Sequence, residues 1–171
     1  MNRRQRRMIG HGAIVTLMAL VAGFGLTMSL VGGFEIFPGN ILPFELPGDS
    51  RAWARTHAGG LMNGMLVIVV ALVMFAMRID GDLERRLYWM LIGTGYANTI
   101  FYWGGLFSQT RAITFGDNRF GETNIAGVLG FAPALIFSFV TCAAFFMIIR
   151  HAFRDIPGES SPSFRDKNKD E

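Results

Sequence analysis

The stretch LMNGMLVIVVALVMFAM, residues 61–77, decides how this chain folds. It runs for 17 residues without a charge. A helix needs about 20 apolar residues, and about 17 at the least, to cross the ~30 Å hydrocarbon of a bilayer. Counting Arg55 and His57 into the same helix carries it upstream as far as Trp53, a span of about 54–77. Three further apolar blocks lie at about 9–31, 87–107 and 125–149. Lipid offers the backbone no hydrogen-bond partners, so helices are the expected spanning form. A barrel would need segments of about ten residues alternating in polarity, which these blocks are not. The expectation is an all-α polytopic membrane protein with four transmembrane helices, one domain over 1–154 and a disordered polar tail over 155–171.

Charge sets the orientation. Arg3, Arg4, Arg6 and Arg7 precede the first block; Arg78, Arg85 and Arg86 separate the second and third; Arg150, Arg154, Arg165, Lys167 and Lys169 follow the fourth. Only Arg51, Arg55, Arg111 and Arg119 fall in the other two connections. Basic residues collect on the cytoplasmic side, so both termini are expected there, in a multi-pass membrane protein. The same distribution explains the arginines without nucleic acid. The first apolar run is long for a signal peptide and lacks a small-residue cleavage site, so a retained anchor is expected. Cys142 is the single cysteine, which rules out a disulfide framework and a CxxCH haem attachment; packing within the fourth span is its expected role.

The connections add detail. LVGGFEIFPGNILPFELPGDS, residues 30–50, is broken by proline and glycine yet is rich in aromatic and aliphatic residues. It is expected to lie along the membrane interface and pack on the bundle. Asp49 or Ser50 is the expected N-cap of the second helix, and Thr123 or Asn124 that of the fourth. Pro133 is expected to kink the fourth.

Polar residues inside spans are costly and therefore point to function. His11 and His151 flank spans and read as interfacial histidines. His57 heads a span. Gly60 and Gly64 follow on its stripe as a GxxxG pair. That pair admits either a close helix or a flat cofactor whose metal His57 binds. Asn63 lies about 240° round the helix from His57 at ~100° per residue. Asn98 and Tyr102 share a face of the third helix, either as an interhelical pair or as a hold on one polar atom of a small ligand. There is no serine–histidine–aspartate set in one membrane layer and no carboxylate pair within a span. His11 and His57 lie at opposite ends of the bundle, so one chain offers at most one histidine to an iron. That leaves an open position, the arrangement of a Lewis acid.

The motifs GHG (10–12), LVGGFEIFPG (30–39), WARTHAGGLMNGM (53–65), NTIFYW (98–103) and TFGDNRFG (114–121) resemble those of the styrene oxide isomerases. They cover three spans and both outer connections. The resemblance implies a homotrimeric four-helix membrane protein that holds haem b between subunits and converts aryl epoxides to aldehydes. The type reaction is the Meinwald rearrangement of styrene oxide to phenylacetaldehyde in styrene degradation. It implies His57 as the iron's axial ligand, and Asn63 and Tyr102 as the residues that orient the substrate. Ferric haem would act as a Lewis acid, with a 1,2-hydride shift and no net oxidation. Phe101, Trp103, Phe107, Phe115 and Phe120 are candidates to line the pocket, and Arg51, Arg55, Arg111 and Arg119 to meet haem propionates. Two other readings stay open: a haem-bearing redox subunit, and a membrane anchor that recruits soluble partners. An isomerase could equally recruit soluble styrene-pathway enzymes through its cytoplasmic tails.

Overall fold

The computed structural model describes residues 1–154; the expectation for the tail at 155–171 lies outside them. Four long helices, α1 (Arg3–Val31), α2 (Ser50–Ala76), α3 (Gly81–Leu106) and α4 (Ile125–Ala152), are joined with a two-stranded hairpin, β1 (Gly33–Phe37) and β2 (Asn40–Pro43), between α1 and α2. α1 packs chiefly along α2, and α3 touches all three other helices. α4 leans on α3 alone among the described helices.

Two clusters close the bundle at its ends. Met8, Met74, Ile79, Leu87, Leu91 and Ala144 belong to one buried cluster toward the arginine-rich end. Asn2 caps α1 in a box with Gln5, and its side chain also reaches Glu84, which pairs with Arg4 at 3.3 Å. These bonds clamp the start of α1 to the α2–α3 turn. At the other end Ala22, Trp53 and Leu106 pack with Leu26, Leu46 and Trp103.

Three helices, α1, α2 and α4, are long and apolar enough to cross a membrane. α3 matches them in length but falls short in hydropathy, and its position explains why. As the central helix it carries groups that other helices satisfy: Tyr96 meets His11, Thr94 meets Thr141 at 2.8 Å, and Asn98 meets Asn63. These three groups face protein, where they are paired. α4 is the reverse. It buries only Gly127, Gly130 and Ala144, and Ile136 and Phe139 stand exposed. Pro133 sits within it. Cys142 is exposed on this helix, so the expected packing role is corrected.

The segment after α1 also differs from expectation. Gly32 ends the helix at φ 73°, a left-handed cap that glycine adopts without strain. The chain then turns back at Pro38–Gly39, with Gly39 at φ 80°, the residue order of a tight turn. Phe34 pairs with Leu42 and Glu35 with Ile41 in antiparallel register. Apart from Gly33, the hairpin residues are exposed rather than packed on the bundle. The alternation of polarity that would announce such strands is absent, because both faces carry apolar side chains. Asp49, not Ser50, caps α2 by accepting from the Ala52 amide at 2.6 Å, and Asn124, not Thr123, caps α4 through Gly127.

Candidate functional site

α2 presents two stripes to two neighbours. His57, Gly60 and Gly64 face α1. The His57 Nδ1 lies 2.8 Å from the Ala19 carbonyl oxygen. A carbonyl only accepts, so Nδ1 carries the proton and Nε2 keeps its lone pair. No described residue bonds Nε2, and the one sealed, unpartnered side-chain atom is Thr123 Oγ1, so Nε2 opens outward. The ring rests on Gly23, where a Cβ would come within 2.8 Å of Nδ1. Gly60 meets Ala19, and Gly64 meets Gly12 and Thr16 of α1. The glycine pair therefore packs a helix. A flat cofactor lying on those glycines is excluded, because α1 fills the space, and any group bound to His57 must sit beyond the α1–α2 seam.

Thr56, Gly59 and Asn63 form the second stripe and face α3. The Thr56 hydroxyl donates to the Tyr102 carbonyl at 3.1 Å. The Tyr102 ring lies against Gly59 so closely that a Cβ there would overlap it. Asn63 donates to the Gly59 carbonyl at 2.7 Å and accepts from the Asn98 amide at 2.6 Å. Of the two readings for the shared face of Asn98 and Tyr102, Asn98 follows the interhelical one. Asn98 binds Asn63, while the Tyr102 hydroxyl has no hydrogen bond among the described residues. Gly59 joins the two expected substrate residues, holding the ring of one and the amide of the other.

His57 and Gly59 are two positions apart, about 200° round the helix at ~100° per residue. Between them runs an open strip of α2: Ala58, Met62, Met65 and Val69, with Met62 71% exposed. His57 edges this strip on one side and the Tyr102 group on the other. His11 turns toward α3. Its Nδ1 bonds the Tyr96 hydroxyl at 2.9 Å, and its ring stacks edge-on to Tyr88 and Tyr96. It lies eight residues before Ala19 on α1, about 12 Å along the axis, which keeps it from sharing a metal with His57.

Of the expected pocket aromatics, Trp103 stacks edge-on to Trp53, Phe101 to Tyr102, and Phe115 to Phe131. Phe107 is exposed, and Phe120 lies under Arg111. An apolar cavity of about 290 Å³ lies beside Trp103 and Phe107, between α3 and α4. A second cavity, of about 440 Å³, opens where α2 begins and α3 ends, with Asp49, Arg55, Arg111 and Phe120 in its wall. Among the described residues no three of His, Cys, Asp and Glu gather around a metal site.

The fold is thus a sheaf of four long helices, three of them apolar enough to cross a membrane, with the His57 imidazole and the Tyr102–Asn63 group on either side of an open strip of α2. The family model "Styrene oxide isomerase" matches residues 4–153. The styrene-oxide isomerase of Pseudomonas fluorescens is 41% identical over 152 residues, covering 89% of this chain and 90% of that one. The chain belongs to the styrene oxide isomerase family and is an isomerase.

Proposed function

We propose that this isomerase converts styrene oxide and related aryl epoxides to aldehydes, phenylacetaldehyde in the type case, by a Meinwald rearrangement assisted by haem b. The observation that carries the reading is the imidazole of His57, held by a backbone carbonyl with its other nitrogen free. A metal-bound histidine commonly donates its second ring N–H in this way. With no protein cluster to complete a metal shell, an iron that brings its own porphyrin nitrogens suits the single ligand. The residues present therefore fit the group. When bound, ferric haem supplies a Lewis acid.

The chain's own residues do the rest. The free Tyr102 hydroxyl donates a hydrogen bond toward the epoxide oxygen as charge builds there. Asn63, braced by Gly59 and Asn98, fixes the orientation of the substrate. As the benzylic C–O bond opens, the aryl ring carries the positive charge, a hydride moves from the terminal carbon to the benzylic carbon, and the carbonyl forms. No proton is exchanged with the protein, which suits a site without a carboxylate pair. The apolar surroundings exclude water, which would otherwise yield the diol.

We place α3 as a fourth span, antiparallel to α2 and α4 and of similar length, in a multi-pass protein of the inner membrane with both ends cytoplasmic. The open strip of α2 and the exposed side of α4 favour a homotrimer that shares the haem between subunits. The same basic face suits docking of soluble enzymes of styrene degradation.

Styrene oxide carrying two deuteriums on its terminal carbon tests the reaction. A hydride shift gives phenylacetaldehyde with one deuterium on the formyl carbon and one on its neighbour. Loss of deuterium to water, or a diol product, would defeat the mechanism.

A further inference from the structure

Four arginines stand on the side expected to face outward, and the structure separates them. Arg51 and Arg119 are exposed, whereas Arg55 and Arg111 are half-buried in the wall of one cavity of about 440 Å³. Arg55 projects from the first turns of α2 and lies within electrostatic range of Arg111, Asp49 and Tyr102. Arg111 is set by its loop: its amide donates to the Ser108 carbonyl at 3.0 Å, its backbone has φ 60°, and its guanidinium lies 3.9 Å above the Phe120 ring. Ion pairs among the described residues join Arg4 to Glu84 and Arg85 to Asp82 only. Asp49, the carboxylate in the same wall, is turned to the Ala52 amide as a helix cap. Two cations thus share one concave site in which neither makes an ion pair among the described residues. Holding like charges together is unfavourable unless an anion joins them. Planar guanidiniums match carboxylates two bonds at a time.

We propose that Arg55 and Arg111 receive the propionate carboxylates of the cofactor. This rests on the haem reading above and names the residues that hold its polar edge. The position suits such a molecule. The cavity lies at the ends of α2 and α3, where the bundle's apolar length gives way to its loops, so the ring can stay among apolar side chains while the carboxylates reach the polar layer. Arg55 is two residues from His57, the proposed ligand of the iron, and within electrostatic range of Tyr102, the proposed donor to substrate. An anionic lipid headgroup has related chemistry and is the alternative source of the anion.

The test compares haem with its dimethyl ester, in which the propionates are neutral. Haem-free full-length protein in nanodiscs is titrated with each and followed by the Soret band. The wild type is expected to bind haem at least about tenfold more tightly than the ester, a discrimination of ~1.4 kcal/mol. The Arg55→Gln/Arg111→Gln variant is expected to lose that preference, and Arg55→Lys/Arg111→Lys to keep part of it. A His57-dependent Soret band in the wild type with equal affinity for the two forms would overturn the inference and leave the haem reading intact. Absence of any His57-dependent band would overturn both. Equal affinities, together with loss of co-purified phosphatidylglycerol in the glutamine variant, would assign the site to lipid instead. Because the wild-type comparison needs no substitution, misfolding of a variant does not blunt it.

Discussion

The Nδ1 atom of His57 lies 2.8 Å from the carbonyl oxygen of Ala19, on the helix packed beside it. That bond ties the seam between α1 and α2 to the state of the imidazole. It sets the tautomer, orients the ring and leaves Nε2 free. Gly23, one turn on from Ala19, provides the floor on which the ring rests.

Gly23→Ala should therefore damage the site without touching any proposed ligand. Its Cβ would lie 2.8 Å from the His57 ring, so the ring must shift and stretch the bond to Ala19. Haem affinity is expected to fall about 10- to 100-fold, as for other changes behind a metal ligand. Titration of haem-free protein checks this; an unchanged affinity would show that the Ala19 bond does not position the ring.

Tyr102→Phe isolates the hydroxyl. The ring's packing on Gly59 is retained, and the hydroxyl bonds no described residue, so thermal stability should not change. kcat/KM for styrene oxide should fall by about 10- to 1000-fold if the hydroxyl donates to developing charge. A fall in melting temperature of the same rank as the loss of activity would point to a structural role instead.

Gly59→Ala should do what Tyr102→Phe does not. A Cβ at Gly59 would overlap the Tyr102 ring, and overpacking costs about 1–3 kcal/mol. Both stability and activity should drop, measured by thermal unfolding in detergent alongside turnover.

Asn63 and Asn98 should be coupled. Their amides meet at 2.6 Å between α2 and α3, and interhelical hydrogen bonds in membranes contribute about 0.6–2 kcal/mol. A double-mutant cycle with Asn63→Leu and Asn98→Leu should show a coupling energy in that range. Additive effects would mean that the pair does not bond in the membrane.

Much of this fold was legible because apolar length is a strong signal. The blocks at 9–31, 54–77, 87–107 and 125–149 lie along α1 to α4, although α1, α2 and α3 each begin earlier than their blocks. The same signal hid the hairpin, since Phe34, Ile36, Ile41 and Leu42 put apolar side chains on both of its faces. Composition also concealed why α3 is less apolar than its neighbours: its polar groups are answered across the bundle, which sequence spacing along one helix does not show. At the site, the 240° between His57 and Asn63 did imply two faces. The choice between packing and cofactor at Gly60 and Gly64 needed α1 in place. Periodicity put Asn98 and Tyr102 on one face and allowed an interhelical bond there, but which residue of another helix Asn98 meets needed α2 in place. The separation of Arg55 and Arg111 from Arg51 and Arg119 depended on a loop whose course no local pattern announces.

The most direct test of the central claim uses membranes bearing the wild-type protein or His57→Ala, given styrene oxide and assayed for phenylacetaldehyde. Aldehyde is expected from the wild type alone, with no diol and no added redox cofactor. Aldehyde from both would contradict the role assigned to His57, and none from a folded, haem-loaded wild type would contradict the substrate.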